Sequence, residues 1–375
     1  MAKGAYIGVS GKARKIKKGY IGVDGAARKI KKAYLGIGGV ARPCWSGGEL
    51  VYYGTIPALS QARNELSAVS NEKYALFGGG RINMSPYSTL DYYDEALVKG
   101  VGSLSFAAIC PACSKVGSYV LFAGGGTGDY VAGGGVSTVN AFDPSMTRSA
   151  PTALSQAREG VAGTFVSEYA IFAGGYYEKI NVSAGMYDTV DIYDTNLTRT
   201  LKHLPTKQAD VTGCRTLNHG VVVRLAAYAF DDELTITALD SLSLDRQSAT
   251  CTELDGSAVI CGGRSRTAVV ERYDVDLTRS TLTSLSQAVA RPAATSVDGF
   301  AVIAGGGDGY GTSINCVKTV EVFDETFVKT VFPHTLSTIR QLLAAATIGT
   351  YGIFAGGSTA TYTAGVTTAE AFTVV

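Results

Sequence analysis

One short pattern returns along this chain and limits what it can fold into: an apolar strand that ends in a glycine pair. It reads Ala75-Leu76-Phe77-Gly78-Gly79, Leu121-Phe122-Ala123-Gly124-Gly125 and Ile171-Phe172-Ala173-Gly174-Gly175. It returns as Val259-Ile260-Cys261-Gly262-Gly263, Val302-Ile303-Ala304-Gly305-Gly306 and Ile353-Phe354-Ala355-Gly356-Gly357. First glycines fall at 78, 124, 174, 262, 305 and 356, in steps of 46, 50, 88, 43 and 51. Self-similarity at such a period marks a solenoid, a propeller or an array. The step of 88 spans two periods, so one repeat has lost its glycines. The residue before the pair is small in five of the six copies, Phe77 being the exception. Glycine there permits positive φ and close backbone approach.

Two further markers order each repeat. An alternating strand ends in aromatic-Asp at Tyr93-Asp94, Phe142-Asp143, Tyr193-Asp194, Tyr273-Asp274 and Phe323-Asp324. The glycine-free repeat is expected to have strand b over 220–227 and its own marker at Leu239-Asp240. The last copy is Ala369-Glu370-Ala371-Phe372-Thr373. Leu-Ser-Gln-Ala opens repeats at 59–62, 154–157 and 285–288, with Arg63 and Arg158 following in the first two. Looser copies begin at Leu204 and Leu336. Each unit thus has four strands: a after this corner, b ending in Gly-Gly, c ending in aromatic-Asp, and d after a turn. The last unit lacks strand d, and Glu49–Leu59 matches one. Pairing of that segment with Thr367–Val375 would close the ring and leave no open sheet edge. The expectation is an all-β chain: a seven-bladed β-propeller over 47–375, closed by an N-terminal strand, behind a small β-hairpin repeat arm over 1–46.

The glycine pair and the aromatic before Asp resemble the Kelch repeat family, whose period is about 50 residues. The resemblance covers Glu49–Val375. Kelch repeats usually carry a Trp after the aromatic, and the single Trp here, Trp45, lies outside the propeller. Blade-to-blade contacts must then use other residues, such as Leu197 and Leu277 of the two Leu-Thr-Arg turns. This variant is similar to Kelch-type repeats in proteins of bacteriophages and of prophages of Gram-positive gut bacteria.

The arm has a repeat of its own, with Tyr6, Tyr20 and Tyr34 in register, as are Arg14, Arg28 and Arg42. Two alternating strands flank Asp24-Gly25, a strong hairpin signal. A meander of small hairpins is expected rather than a basic helix. Residues 1–45 hold eleven Lys/Arg and one acid, Asp24. The whole chain holds 33 Lys/Arg and 32 Asp/Glu, so its net charge of +1 hides a basic arm on a mildly acidic body. Such asymmetry suggests an anionic partner or a docking role. No nucleic-acid-binding motif accompanies the charge, so nucleic acid is not the expected partner. The tandem units are similar to those at one end of many phage tail and virion proteins. That resemblance implies attachment to other virion proteins, or an oligomerising collar.

Apolar residues make up 46% of the chain and charged residues 17%, which excludes a disordered chain. No run approaches 18 apolar residues, so no membrane insertion is expected. Residues after Met1 lead to no apolar signal region. Seven cysteines, an odd number at irregular spacing, read as reduced thiols of a protein made in a cytoplasm.

Catalytic chemistry is not expected. His203, His219 and His334 fall in different blades, with no nucleophile or metal ligand at useful spacing. Cys110-Pro111-Ala112-Cys113 lacks a second pair and is placed on strand a, where residues three apart face opposite ways. Small buried side chains are the better reading of such thiols. The glycine runs at 124–129 and 305–309 lack the Lys-Ser/Thr of a phosphate loop. Asp231-Asp232-Glu233 is read as a b–c turn. No metal and no cofactor are expected.

Length variation is concentrated elsewhere. Strands in a blade alternate direction, so b–c and d–a connections share one face. Five b–c loops are long, and they carry Tyr87, Tyr130, Tyr176, Tyr177, Tyr187, Tyr310 and Tyr362 among Ser, Gly, Asn and Thr. Rigid aromatics with adaptable polar neighbours resemble a recognition surface, against the alternative of ordinary surface connections. The expectation is a non-catalytic phage virion protein, assembled in the bacterial cytoplasm and oligomeric in the particle. Its b–c face would bind a host-surface polysaccharide or protein, and its arm would dock to the virion. The alternatives are a Kelch adaptor for an intracellular protein partner and a carbohydrate enzyme on a propeller scaffold.

Overall fold

The structure, a computed structural model, describes residues 6–9, 12–15, 19–23, 26–30, 32–37, 40–46, 48–128, 134–179, 182–308, 315–359 and 364–375, with side chains from residue 48 on, outside 178–184. Every regular element among them is a strand. None is a helix long and apolar enough to cross a membrane.

Seven antiparallel sheets of at least four strands follow one another from Leu50 to Val374. In blade two the strands are Ala112–Val116, Tyr119–Ala123, Val139–Phe142 and Arg148–Ser149, in sheet order a-b-c-d. The innermost strands are Ser67–Ser70, Ala112–Val116, Ala162–Val166, Thr212–Arg215, Thr250–Leu254, Ala293–Val297 and Ala344–Ile348. They surround a central channel with a cavity of about 380 Å³. Burial follows the radius. In blade two, strand a (Ala112–Val116) alternates buried with half-buried residues and strand b (Tyr119–Ala123) is buried apart from Tyr119, whereas strand d of blade one, Lys99–Ser103, is largely exposed.

The core lies between blades, because each sheet is covered on both faces by its neighbours. Seven apolar clusters fill the seven interfaces. Between blades two and three, Val116 and Leu121 meet Phe172 and Tyr193, and Leu197 packs against them. Leu277 does the same between blades four and five. The leucine of the c–d turn thus supplies contact where a Trp is missing. It stands at positive φ (Leu197 60°, Leu277 65°), and the preceding aspartate holds the turn, Asp194 Oδ1 accepting from the N–H of Asn196 and of Thr198.

The glycine pair also has a local cause. Gly124 and Gly125 take φ of 65° and 100°. A Cβ on Gly124 would stand 3.0 Å from the Arg158 carbonyl oxygen, and one on Gly125 2.7 Å from that of Ile109. The pair threads between the d–a corners of its own blade and the next, with no space for side chains. In blade one the left-handed pair is Gly79-Gly80, not Gly78-Gly79. With that register Gly78 is the residue before the pair, so it is small in all six blades.

Blade four corrects a second register. Its strands are Thr212–Arg215, Gly220–Val223, Ala227–Phe230 and Ile236–Leu239. Strand c ends at Phe230-Asp231, and Leu239-Asp240 closes strand d instead. Strands b and c are joined only by Arg224, Leu225 and Ala226. So short a connection does not pass between corners, and needs no glycine pair. Asp231-Asp232-Glu233 is therefore the c–d turn rather than a b–c turn.

Strand Leu50–Ile56 completes the last blade by pairing with Ala369–Val374, from Leu50↔Val374 to Ile56↔Ala369. A shift at Ala371/Phe372 bulges this edge. Deleting residues 1–56 should leave Ala369–Val374 as an open, wholly buried-type edge. We expect that protein to aggregate on size-exclusion chromatography, whereas deletion of 1–45 leaves a monodisperse propeller. A soluble, monodisperse product of the longer deletion would contradict closure by this strand.

In the arm, Tyr6–Val9 pairs with Lys12–Lys15, Gly19–Val23 with Ala26–Ile30, and Lys32–Ile37 with Val40–Ser46. Three separate two-stranded sheets result, so hairpins form as expected, but among the described pairings they are not joined into a continuous meander. Tyr6 pairs with Lys15, Tyr20 with Lys29 and Tyr34 with Pro43; Arg14, Arg28 and Arg42 pair with Ile7, Ile21 and Leu35.

Candidate binding face

The Leu-Ser-Gln-Ala-Arg corner builds this face by repetition. Its first residue is a buried leucine in all seven blades: Leu59, Leu104, Leu154, Leu204, Leu242, Leu285 and Leu336. The serine caps a polar residue on strand c. Ser155 donates its N–H and hydroxyl to Asp191 at 2.9 and 3.1 Å, and Ser60 does the same to Asp91. The arginine meets that carboxylate from the other side: Arg158–Asp191 at 2.7 Å and Arg63–Asp91 at 2.9 Å, all four side chains fully buried. Arg246–Glu271 and Arg340–Glu370 repeat it in blades five and seven. Burial pulls the pKa of these four arginines down, and the facing acids push back. Blade two does without charge: Ser105 N–H donates to Asn140 Oδ1 at 2.6 Å, and Asn140 Nδ2 returns a bond to Ser105 Oγ at 2.7 Å.

Two residues after the arginine position the chain turns left-handed in every blade. Glu65, Cys110, Gly160, Asp210, Ser248, Arg291 and Leu342 have φ of 52, 46, 63, 53, 47, 52 and 59°. Six of these are not glycine, and each non-glycine left-handed residue costs about 1–3 kcal/mol unless its surroundings hold it. Backbone bonds from blade to blade do so: Cys110 N–H to Glu65 O (2.9 Å), Ser248 to Asp210 (2.8 Å), Leu342 to Arg291 (3.2 Å) and Glu65 to Leu342 (3.1 Å). These residues ring the axis where the channel opens on the b–c face.

Their side chains give the mouth its charge. Glu65 bridges Arg81 at 2.5 Å and Arg291 at 3.4 Å. Asp210 faces Arg264 at 3.6 Å. Burial raises the Asp210 pKa, opposed by Arg264, Arg224 and Arg291. Cys110 is exposed at this mouth yet crowded by protein around it, and that crowding, then the Glu65 charge, push its thiol pKa well up. It sits in the corner before strand a, not on the strand. Cys113 is on the strand, with its Sγ–H on Ala68 O at 3.1 Å and its pKa pushed up to about 12 by burial. The two thiols of Cys-x-x-Cys thus have separate surroundings.

Four of the expected tyrosines can be placed. In blade three the b–c connection is a hairpin, not an irregular loop: Tyr176–Lys179 pairs with Val182–Tyr193, which also pairs with the long strand Arg199–Gln208. Tyr176 opposes Met186, and Tyr177 opposes Gly185. A Cβ on Gly160 would meet Tyr176 Cε1 at 2.8 Å and Asp210 Oδ1 at 2.9 Å, so this tyrosine stands at the charged mouth. Tyr87 and Tyr187 occupy a different place. Their N–H groups bond to Gly80 and Gly175 at the loop base, as those of Val136, Val317 and Val366 do to Gly125, Gly306 and Gly357. That position is structural in most blades. Tyr130, Tyr310 and Tyr362 lie outside the described residues.

The mouth residues Glu65, Arg81, Asp210, Arg264 and Arg291 were not legible as a set. The one available signal was the seventh residue of each corner motif, whose identity varies from blade to blade. The remaining candidates stay apart. His203 Nδ1 is 3.3 Å from Asp188, His219 is 3.2 Å from Thr216 Oγ1, and His334 stacks on Tyr52. Asp231, Asp232 and Glu233 do converge, but Asp231 Oδ1 holds the turn through the Thr235 N–H.

Scans of the sequence against protein-family models and against curated proteins give no match. Among solved structures, that of YjhT is similar, with a TM-score of 0.55 at 12% identity over 85% of this chain and 99% of that one. The shared feature is the propeller fold.

Proposed function

We propose that this chain is a non-catalytic attachment protein of a phage virion, related to Kelch-type propellers. Its b–c face binds a host-surface ligand, and the basic hairpin arm docks it to other virion proteins. The observation that carries the reading is the blade-three hairpin. It sets Tyr176 beside Asp210 at a mouth where three arginines and two acids meet. Aromatic rings beside paired hydrogen-bonding groups suit the alternating apolar and hydroxyl surfaces of a polysaccharide. The repeated hairpins with their lysines and arginines support docking to an acidic surface.

The test is adsorption of particles to host cells. Tyr176→Ala/Tyr177→Ala particles should adsorb at least about tenfold more slowly, since a central aromatic anchor contributes 2 kcal/mol or more. Unchanged adsorption removes the case for this face. Protein lacking residues 1–45 should fold but fail to enter particles, and its normal incorporation would remove the docking role.

A further inference from the structure

The far end of the channel carries a second arrangement, away from the b–c mouth. The fourth residue of each inner strand is half-buried along the channel: Ser70, Lys115, Phe165, Arg215, Glu253, Ser296 and Thr347. Four of these are serine, threonine or glutamate, but blades two to four place two cations around one ring. Lys115 Nζ lies 4.6 Å from the Phe165 ring centroid and the Arg215 guanidinium carbon 4.4 Å from the same centroid.

The charges do not balance. Arg215 has Glu253 at 3.3 Å. The Lys115 ammonium has no ion pair and no hydrogen bond among the described residues; it stands over the Phe165 ring. Burial, and then the neighbouring Arg215 charge, lower its pKa, while Glu253 and Glu72 pull it back. A partly buried ammonium without a counter-charge is costly. An anion resting between Lys115 and Arg215 would remove that cost and gain charge-assisted hydrogen bonds.

We propose that the channel binds a small oxyanion, of the sulfate, phosphate or carboxylate class, between Lys115 and Arg215 over the edge of Phe165. Serine and threonine hydroxyls of Ser296 and Thr347 line the same cavity. The a–b turns on this face carry Glu72, Glu168 and Asp255, all exposed. That acidic rim repels polyanions and limits the ligand to a small one.

Calorimetric titration of the full chain with sodium sulfate tests this, at an ionic strength held constant with sodium chloride. Wild type should bind sulfate saturably. Lys115→Met should weaken binding by about tenfold or more, the loss expected for one charged hydrogen bond. Glu253→Gln should tighten it by removing the competing carboxylate. Tyr176→Ala/Tyr177→Ala should bind as wild type, which separates this site from the attachment face. Phosphate and acetate, titrated likewise, identify the preferred oxyanion. Thermal midpoints in chloride show that each variant is folded. Heats no different from the chloride baseline in wild type, or equal affinity in Lys115→Met, would overturn the proposal.

Discussion

Asp191→Ala should destabilise the propeller by about 3–5 kcal/mol, the cost of leaving a buried charge without its partner. Arg158 is fully buried, and its Nη2 bonds to Asp191 at 2.7 Å and to the Phe172 carbonyl at 3.1 Å. Removing the carboxylate strands that guanidinium. It also deprives the Ser155 N–H and hydroxyl of their acceptor. The molecule contains its own control. Blade two places Ala108 and Asn140 where blade three has Arg158 and Asp191, and Ser105 and Asn140 satisfy each other there. The double variant Arg158→Ala/Asp191→Asn recreates that neutral corner. It should recover a large part of the loss, though the cavity left by the arginine stem remains. Urea-unfolding midpoints of the three proteins measure this. A double variant no more stable than Asp191→Ala would mean that packing of the arginine stem, not charge, dominates the corner.

Gly213→Val should be more severe, above about 4 kcal/mol, because the clash is with backbone. A Cβ on Gly213 would stand 1.9 Å from the Gly163 carbonyl oxygen, and one on Gly163 would stand 2.1 Å from that of Cys113. Three successive inner strands therefore touch main chain to main chain. Side-chain bonds tie the same strands: Ser114 Oγ donates to Thr164 O at 2.5 Å, and Thr164 Oγ1 donates to Cys214 O. A closed ring has no free edge through which to relieve an added side chain. Loss of soluble protein, or a collapse of the thermal midpoint, is the expected readout. Gly185→Ala serves as the comparison, since nothing lies within 4 Å of its Cβ position. If Gly213→Val proved as stable as Gly185→Ala, the inner strands could not be packed as described.

The architecture was legible because each blade solves the same physical problem with the same few residues. A corner leucine must be buried, a glycine pair must pass between corners, and an aromatic must end strand c. Tyr93, Tyr193 and Tyr273 show why that aromatic recurs: each hydroxyl donates back to a carbonyl just before the corner that opens its own blade, of Pro57, Thr152 and Asp240. Repeats of this kind reveal period, blade count and the missing seventh d strand without any three-dimensional information. The marker of blade four lies one strand earlier than its period suggests, because the repeat has shortened there. Losing the b–c loop removed the need for the glycine pair, and Phe230-Asp231 then followed strand b too closely to be taken for its marker.

The sites were not legible to the same degree, for a reason rooted in the topology. Each blade contributes one residue to the b–c mouth and one to the far end of the channel. Glu65, Asp210 and Arg291 are far apart in sequence and share only their place as seventh residue of a corner motif, not a residue type. Only ring closure brings them to one axis, and only the left-handed corner turns their side chains towards it. Lys115, Phe165 and Arg215 are likewise ordinary strand residues until three blades stand side by side. What the chain determined by itself was the repeated unit, the number of units and the strand that completes the last one, because those follow from local burial and turn chemistry. Which residues meet was decided by the closed ring, because its axis collects single positions that lie a whole blade or more apart in sequence.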